Sequence, residues 1–283
     1  MSFFEKDRVL VIAEAGKNFI INERPRGSMI LDEAKNLARV AKESGADAVK
    51  YQTHVFEDEG PRRDPVRHEW IKKNEQLTPY DKFWKPLKEY CDSIGILFMT
   101  TPMSPLAAAK IQDLVTVWKV GSGNTTDWEL LKFLIETKKP IILSTGMSTA
   151  EEVEQAYNFL YTAAADFALT HCTSIYPCPV NKLNLNVMRH WLNNYNVPIG
   201  LSDHSLSVTI PSLAVQLGAT IIEKHFTIDK GSWGPDHKIS LEASEFQEMV
   251  EYVREAEETL YAYGVSLKTV LPEEEESRKK FRL

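Results

Sequence analysis

The chain has 283 residues, of which 43% are hydrophobic and 26% are charged, a composition typical of one large soluble α/β domain. Its formal net charge of −7 argues against sequence-independent nucleic-acid binding, which needs a basic surface to displace counterions from phosphates. The three cysteines, Cys91, Cys172 and Cys178, lack zinc-ligand spacing and are odd in number, so free buried thiols in a reducing compartment are expected.

The amino-terminal segment MSFFEKDRVLVIAEAG contains one short apolar run, Val9 to Ala13, which ends at Glu14. This run is too brief for the apolar part of a signal peptide and far shorter than a membrane span. The segment therefore predicts a cytoplasmic protein.

Eight short apolar runs alternate with amphipathic stretches, the pattern of parallel strands covered by helices. In chain order the predicted strands are VLVIAEA from Val9, AVKYQT from Ala48, ILFMTTP from Ile96, VWKVGSG from Val117, PIILSTG from Pro140, FALTHCTS from Phe167, PIGLSDHS from Pro198 and TIIEKHFT from Thr220. Eight strand–helix repeats predict an α/β fold of the (β/α)8 or TIM-barrel type over residues 1–265.

Other segments complete this prediction. LDEAKNLARVAKES and STAEEVEQAYNFLY are predicted helices, the second with a capping box formed by Ser148 and Glu151. The connection from Val55 to Thr78 is predicted to be irregular and to form a mobile cover over the barrel mouth. Residues 266–283 are predicted to be a charged tail or linker, because they have too little apolar material to join a core.

Polar residues accumulate where the predicted strands end, which is where TIM barrels carry their catalytic groups. They are Glu14 and Asn18, Lys50 and Gln52, Thr101, Lys119 and Ser122, Ser144, Ser174 and Tyr176, Ser202 with Asp203 and His204, and Glu223 with His225. A ring of polar strand ends predicts one active site at the carboxyl-terminal mouth of the barrel.

His204 and His225 close the two last strands, which are neighbours, and can present two imidazoles to one metal ion. Two protein ligands leave open coordination positions, as in a Lewis-acid site. The alternative is that each histidine is a hydrogen-bonded residue at a strand end.

Lys50 and Lys119 lie within strands, where a buried ammonium needs an anionic partner. One interpretation is a cradle for a phosphate or carboxylate, formed with the hydroxyls of Ser122, Ser144 and Ser202 and with the glycines of GSG and STG. The alternative is a salt bridge from either lysine to Glu14 or Glu223. Tyr176 and Asp236 are expected to line an organic substrate.

At these residues the sequence resembles the N-acetylneuraminate synthase family, which includes the sialic, legionaminic and pseudaminic acid synthases. The resemblance covers nearly the whole chain. It is carried by IAEAGKN at Ile12, VKYQTH at Val49, TTPMS at Thr100, WKVGSGN at Trp118, PIILSTGM at Pro140, HCTSIYPCP at His171, IGLSDHS at Ile199, EKHFT at Glu223 and GPDHKISL at Gly234.

The resemblance implies that C3 of phosphoenolpyruvate attacks the aldehyde carbon of an open-chain N-acylated amino sugar such as N-acetylmannosamine, after which water adds at C2 and phosphate leaves. It implies a divalent metal, Mn²⁺ or Mg²⁺, held by His204 and His225, and Glu14 as a catalytic residue that orients water or a sugar hydroxyl. The implied ligands of phosphoenolpyruvate are Lys50, Lys119, Ser122, Ser144, Ser174 and Ser202. The implied ligands of the sugar are Gln52, Thr101, Asn124, Tyr176 and Asp236.

Three residues depart from the family's pattern. Asn124 replaces an acidic residue after the GSG turn, Phe19 stands where the family commonly has histidine, and Ala15 replaces a larger aliphatic residue. Family members also continue into an antifreeze-like domain, whose arginine reaches the partner's site in a homodimer, whereas this sequence stops near that junction. The first departure bears on the identity of the sugar.

Three other functions remain open from the sequence. They are a metal-dependent aldolase or hydrolase on the same barrel, a Schiff-base aldolase acting through Lys50 or Lys119, and a barrel that binds sugar without catalysis. Phosphate release, borohydride trapping with pyruvate, and binding without turnover distinguish these from the synthase.

Overall fold

Eight strands form in the computed structural model, which describes residues 3–4, 8–22, 27–60, 65–261 and 268–282. They are β1 (Leu10–Gly16), β2 (Ala48–Thr53), β3 (Leu97–Pro102), β4 (Trp118–Val120), β5 (Ile141–Ser144), β6 (Phe167–Cys172), β7 (Ile199–Asp203) and β8 (Ile221–His225). Seven of them fall within the predicted runs, and β1 extends one residue beyond its run, to Gly16.

The strands are parallel and their order is β3-β2-β1-β8-β7-β6-β5-β4. Strands β1 and β8, which are far apart in sequence, pair from Leu10 with Ile221 to Glu14 with His225. Strands β3 and β4 lie side by side and bring the two edges of this sheet together. The predicted TIM-barrel fold is therefore confirmed.

Helices follow the strands in the expected alternation. They are α1 (Gly27–Glu43), α2 (Phe56–Glu59), α3 (Pro65–Leu77), α4 (Lys85–Ile94), α5 (Pro105–Ile111), α6 (Trp128–Glu136), α7 (Ala150–Thr162), α8 (Asn186–Asn194), α9 (Ile210–Leu217), α10 (Ala243–Tyr261) and α11 (Glu275–Phe281). A π-helical turn, Tyr80–Trp84, leads directly into α4.

The predicted capping box of α7 is wrong by one residue. Thr149, rather than Ser148, has the extended conformation of an N-cap, and its side chain accepts a hydrogen bond from the backbone N–H of Glu152. The Glu152 carboxylate accepts the reciprocal bond from the Thr149 N–H at 2.7 Å. Both registers offer a hydroxyl followed three residues later by glutamate, so only the backbone conformation distinguishes them.

The predicted irregular connection from Val55 to Thr78 is also wrong, because helices α2 and α3 occupy most of it. Residues 61–64, inside this segment, lie outside the described residues. Pro65 is the first residue of α3, a position where the missing N–H of proline costs nothing. The many charged residues of this segment made its sequence look like a loop, although it forms a helix, α3, that places a residue at the barrel mouth.

Two apolar layers surround the strands. The outer layer lies between strands and helices and includes Trp84, Phe98 and Trp118. The inner layer fills the amino-terminal half of the barrel with alternate strand residues, namely Leu10, Ile12, Ala48, Met99, Val117, Ile142, Ala168 and Ile221, and Phe4 packs against it. The lower barrel is therefore closed, and only its carboxyl-terminal half is available for a site.

The carboxyl-terminal residues that are described form a 3₁₀ turn, Pro272–Glu274, and helix α11, whose side chains are exposed. The domain boundary predicted between residues 265 and 266 lies outside the described residues, and it stays a prediction. Among the helices described here, none is both long and apolar enough to cross a membrane.

Candidate active site

The inward-facing side chains of the strands are apolar in the inner layer and become polar two residues further along each strand. On β1, Ile12 is followed by Glu14, on β5 Ile142 is followed by Ser144, and on β8 Ile221 is followed by Glu223. Because side chains alternate along a strand, residues two apart point to the same side. The polar strand ends predicted from the sequence therefore face one another across the barrel.

Four charged side chains form the floor of this site: Glu14, Lys50, Lys119 and Glu223, all of them buried. Lys50 Nζ lies 2.5 Å from Glu14 Oε2 and 3.6 Å from Glu223 Oε2. Lys119 Nζ lies 3.4 Å from Glu223 Oε1. The salt bridges that the sequence left as an alternative are thus present, and the group of four charges, called the quartet below, is neutral as a whole.

The charges of the quartet shift one another's pKa values. Burial opposes the charged form of Glu223, but Lys119 and Lys50 outweigh burial and lower the pKa of this carboxyl to about 2. Burial is the main reason that the pKa of Glu14 is raised, with Glu223 adding to the effect and Lys50 opposing it. Burial also lowers the pKa of Lys119. Glu223 is therefore the fixed anion, and Glu14 is the carboxylate that accepts a proton more readily.

Hydroxyl groups border the two lysines. Lys119 Nζ donates to Ser144 Oγ at 2.6 Å, and Lys50 Nζ donates to Thr101 Oγ1 at 2.9 Å. Ser202 Oγ donates to Glu223 Oε1 at 3.0 Å. These contacts bring the predicted lysine and hydroxyl residues of five different strands within reach of one small molecule.

The loop after β4 approaches the loop after β5 at Gly146. The backbone N–H of Gly146 donates to Ser122 Oγ at 3.0 Å. A Cβ atom at Gly146 would lie 2.2 Å from Ser174 Oγ and 2.8 Å from Cys172 Sγ. Only glycine leaves room for these neighbours, so the STG motif has a structural reason to contain this residue.

His204 and His225 come together as predicted, with ring centroids 5.3 Å apart. The Nδ1 atom of His204 lies 3.1 Å from the carbonyl oxygen of Thr173, to which it can donate, leaving Nε2 with its lone pair. Burial lowers the pKa of His225 to about 3, and its buried Nδ1 has no hydrogen-bond partner among the described residues. Burial opposes the charged form of His204, but the neighbouring Cys172 outweighs burial and raises the pKa of this imidazole. In their neutral forms the two imidazoles fit a divalent metal ion.

The protein supplies few further candidates for metal ligands. Within the ranges that the structure describes, no group of three or more His, Cys, Asp or Glu side chains is placed to hold a metal ion. A metal bound by the two histidines would therefore keep open positions for water or substrate oxygens. The aromatic ring of Tyr176 lies 4.3 Å from that of His204, centroid to centroid, and shields one side of the pair.

Cys172 is a neighbour of this site that the sequence suggested only as a small buried residue. Its Sγ lies 3.7 Å from His204 Nδ1 and accepts from Ser122 Oγ at 3.3 Å. Burial disfavours the thiolate, but His204 outweighs burial and lowers the pKa of Cys172. The thiol therefore contacts both His204, a predicted metal ligand, and Ser122, a predicted ligand of phosphoenolpyruvate.

A second group of predicted residues lies on the β1 side of the mouth. Gln52 Nε2 donates to Glu14 Oε1 at 2.9 Å. A Cβ at Gly16 would lie 3.4 Å from Gln52 Nε2 and 3.5 Å from Asp236 Oδ2. Gln52 and Asp236 are thus gathered around Gly16, above the quartet.

Asn124 and Ser174 lie on the opposite side. Asn124 is buried, and its Nδ2 donates to Asp127 Oδ2 at 3.0 Å and to the Met103 carbonyl at 3.4 Å. Ser174 Oγ lies 3.7 Å from Cys172 Sγ. The amide of Asn124 is therefore held by the loop that begins α6.

Phe19, one of the departures from the family's pattern, is not part of the site. It is buried in the outer core against Phe83 and Tyr51, with ring centroids 5.0 and 6.0 Å apart. Ala15 is likewise buried in that core. These two departures concern packing, and Asn124 is the one of the three that lines the cavity.

A cavity of about 430 Å³ unites these groups. Its lining includes all the predicted site residues except Ser174 and Asp236, which stand beside it. Six lining residues were not among the predicted site residues: Lys17, His54, Glu59, Arg67, Met103 and Met147; Glu223 had been noted only as a polar strand end and a possible salt-bridge partner.

Three of these lining residues, His54, Glu59 and Arg67, lie in or beside the segment from Val55 to Thr78, and their place in the sequence did not indicate a role in the site. His54 lies just before α2, Glu59 is the last residue of that helix, and Arg67 belongs to the first turn of α3. His54 Nδ1 lies 2.8 Å from Glu59 Oε2. Their proximity to the barrel mouth depends on how α2 and α3 fold back, which no strand-end rule predicts, although the charge density of EDEGPRRDPVRHEW was a signal.

The fold and the site define a (β/α)8-barrel enzyme whose ionised and hydroxyl groups converge on one cavity at the carboxyl ends of the strands. The sequence model of the NeuB family matches residues 37–264. The chain is 37% identical to an uncharacterised protein of Methanocaldococcus jannaschii, over 93% of this chain and 74% of that protein.

Two relatives with named activities agree with this match. The N,N'-diacetyllegionaminic acid synthase of Legionella pneumophila is 35% identical, over 88% of this chain and 72% of that enzyme. The crystal structure of the N-acetylneuraminic acid (sialic acid) synthetase of Leptospira borgpetersenii, in complex with citrate, superposes with a TM-score of 0.84 and 30% identity, covering 97% and 93% of the two chains. The chain belongs to the NeuB family, and the resemblance seen in its motifs is confirmed.

Proposed function

We propose that this protein is a sialic acid synthase-type transferase, which condenses phosphoenolpyruvate with an N-acylated amino sugar and releases phosphate. Family membership and the activities of the named relatives support this reaction. The observation in this chain that carries the proposal is the buried quartet bordered by hydroxyls, next to the pair of histidines. Two new bonds are needed, a C–C bond at C3 of phosphoenolpyruvate and a C–O bond from water at C2.

The lysines and hydroxyls are suited to bind phosphoenolpyruvate. Lys119 and Lys50 are held by Glu223 and Glu14 before any ligand arrives, so the cations need little reorganisation when a phosphate or carboxylate approaches. Ser122, Ser144 and Ser202 add hydroxyls, and Ser174 lies beside Ser122 across Gly146. The site holds the trianionic substrate by placing fixed positive charge where its oxygens would lie.

His204 and His225 are the residues that would hold the divalent metal. When bound, the metal polarises the aldehyde of the acceptor and positions water. The neutral state of His225 follows from its pKa of about 3, so no proton has to leave this imidazole at neutral pH. From the family resemblance we further propose Mn²⁺ or Mg²⁺ as the metal, a homodimer as the working unit, and the cytoplasm as its location.

The β1 side of the mouth is suited to the acceptor sugar. Gln52, Thr101 and Tyr176 line the cavity, and Asp236 stands next to Gly16, so amide, hydroxyl and carboxylate groups surround the space where sugar hydroxyls would lie. Asn124 adds an amide opposite them. Glu14, whose pKa is raised, is suited to orient water or a sugar hydroxyl and to hold a proton on its carboxyl group.

The proposal is tested by incubating the protein with Mn²⁺, phosphoenolpyruvate and N-acetylmannosamine, and measuring inorganic phosphate together with a 2-keto-3-deoxy sugar acid. We expect both products in equal amounts. Production of the keto acid from pyruvate without phosphate release would favour an aldolase, and borohydride trapping of pyruvate would identify its Schiff-base form. Binding of both substrates without either product would favour a non-catalytic barrel.

Three single variants assign roles within this reaction. His204→Ala and His225→Ala should each abolish metal-dependent turnover while the circular dichroism spectrum stays that of the wild type. Lys119→Ala should raise the KM for phosphoenolpyruvate far more than the KM for the sugar. Full activity of the metal-stripped double histidine variant, or an equal rise of both KM values in Lys119→Ala, would contradict these assignments.

A further inference from the structure

A buried ion pair lies behind the two histidines that are proposed to hold the metal. Lys224 directly precedes His225 in β8. Asp203, the last residue of β7, directly precedes His204. The described residues that line the cavity include both histidines but neither member of the ion pair. Because side chains alternate along a strand, the pair lies on the opposite side of the strands from the cavity, where it supports the histidines and does not contact a substrate.

The Lys224 ammonium donates three times to the segment that contains His204. Its Nζ donates to Asp203 Oδ2 at 2.6 Å, to the Ser207 carbonyl oxygen at 3.0 Å and to Ser205 Oγ at 3.3 Å. The Asp203 carboxylate also accepts from the backbone N–H of Ser205 at 2.8 Å and from its hydroxyl at 3.0 Å. One side chain of β8 therefore holds the chain on both sides of His204.

Strand pairing alone does not hold the two histidines together. The ladder between β7 and β8 ends at the pair Asp203 and Lys224, so His204 lies one residue beyond it. His225 pairs instead with Glu14 of β1. The ion pair is thus the connection that joins the His204 segment to β8 at the point where the ladder stops.

The two imidazole rings are oriented to different degrees by hydrogen bonds. The carbonyl oxygen of His204 accepts from the Cys178 backbone N–H at 2.9 Å, and His204 Nδ1 lies 3.1 Å from the Thr173 carbonyl oxygen. The buried Nδ1 of His225 has no hydrogen-bond partner among the described residues. A hydrogen bond to the second ring nitrogen is the usual way of orienting a metal-binding histidine, so the placement of His225 depends more on its backbone.

We infer that Lys224 and Asp203 are positioning residues, which set the spacing of His204 and His225 for a divalent metal ion. This inference rests on the proposed function, in which the two histidines hold that metal. Partners that orient metal ligands from behind typically contribute about ten- to a hundredfold to metal affinity. Loss of the ion pair should therefore weaken metal binding.

The sign of the effect of Lys224→Met separates positioning from electrostatics. The variant removes a positive charge close to the place of a bound cation, so charge alone predicts tighter metal binding. Loss of positioning predicts weaker binding. The double variant Lys224→Met with Asp203→Asn removes one charge of each sign, so the net charge behind the histidines stays the same while the connection between the strands is lost.

The test measures the Kd of Mn²⁺ for the substrate-free protein by electron paramagnetic resonance of the free ion, with the double variant His204→Ala, His225→Ala as the background for binding elsewhere. Lys224→Met should raise the Kd by about tenfold or more. Arg254→Met is the matched control, since it removes an ion pair with Asp47 of 2.7 Å next to the start of β2, at the other end of the barrel. Its Kd should equal that of the wild type.

The double variant Lys224→Met with Asp203→Asn keeps the test valid if Lys224→Met folds poorly. It leaves no buried charge without a partner, so it should regain part of the lost stability but not the metal affinity. A Kd of Lys224→Met or of the double variant equal to or below that of the wild type would overturn the inference, as would an equal rise in Arg254→Met. If the wild type binds no more Mn²⁺ than the histidine variant, the proposed metal site fails as well.

Discussion

Glu223 is the residue whose replacement tests the description of the site most directly. Its carboxylate lies within 4 Å of both buried lysines and accepts from Ser202. Glu223→Gln keeps the shape and one hydrogen-bonding oxygen but removes the charge, so the neutral quartet becomes a buried group with a net charge of +1. Removing one partner of a buried ion pair typically costs about 3–5 kcal/mol, because the other charge is left uncompensated.

We therefore expect Glu223→Gln to lower the free energy of unfolding by about 3 kcal/mol, equivalent to a fall in Tm of roughly 6–12 °C for a domain of this size class. Urea denaturation and thermal melting followed by circular dichroism measure both quantities. Glu258→Gln, at an exposed position of α10, is the control and should change stability by less than about 0.5 kcal/mol. Because the variant leaves excess positive charge, saturating inorganic phosphate should restore part of the lost stability.

A double-mutant cycle with Lys119→Met separates charge from packing. In Glu223→Gln the nearest remaining partner of Lys119 is the neutral hydroxyl of Ser144, so replacing the lysine by methionine removes the uncompensated charge. The loss in free energy of unfolding of the double variant should be smaller than the sum of the two single losses by about 1–3 kcal/mol. Additivity within about 0.5 kcal/mol would refute the conclusion that the two residues form an ion pair that stabilises the barrel.

Two further predictions concern the strands that carry the histidines. Gly200→Ala would place a Cβ 2.6 Å from the Ile221 carbonyl oxygen, so β7 and β8 must separate, and urea denaturation should show a loss of about 1–3 kcal/mol; an unchanged midpoint would contradict this. Lys224 Nζ lies 2.6 Å from Asp203 Oδ2, and both side chains are buried. Lys224→Met should cost about 3–5 kcal/mol, and Asp203→Asn in the same chain should recover part of it, whereas no recovery would argue against this ion pair.

The fold could be predicted from the sequence because its determinants are local. Each strand is a short apolar run that ends in polar residues, as at VLVIAEA before Gly16 and TIIEKHFT around His225. Eight repeats of this pattern have one common solution, a closed parallel barrel. The proximity of His204 and His225 followed from the same reasoning, because consecutive strands of a barrel are neighbours and their carboxyl ends share one face.

The capping residue of α7 and the helices between Val55 and Thr78 could not be predicted in the same way. Ser148 and Thr149 offer equivalent capping patterns, and the extended conformation of Thr149 depends on the loop that precedes it. The segment from Val55 to Thr78 combines prolines with many charges, which by local rules indicates a loop. Contacts made after the chain folds back override those weak preferences.

What the sequence alone determined was the identity of the polar groups and the barrel rim on which they lie. Only the tertiary structure decided how they are paired: Lys50 lies between Glu14 and Glu223, whereas Lys119 is paired with Glu223. The physical reason is that pairing depends on distances of a few ångströms between side chains from different strands and helices, since Coulomb energies in a buried site change steeply over such distances. Strand periodicity fixes the direction in which a side chain points, but the packing of the whole barrel fixes which charge it meets.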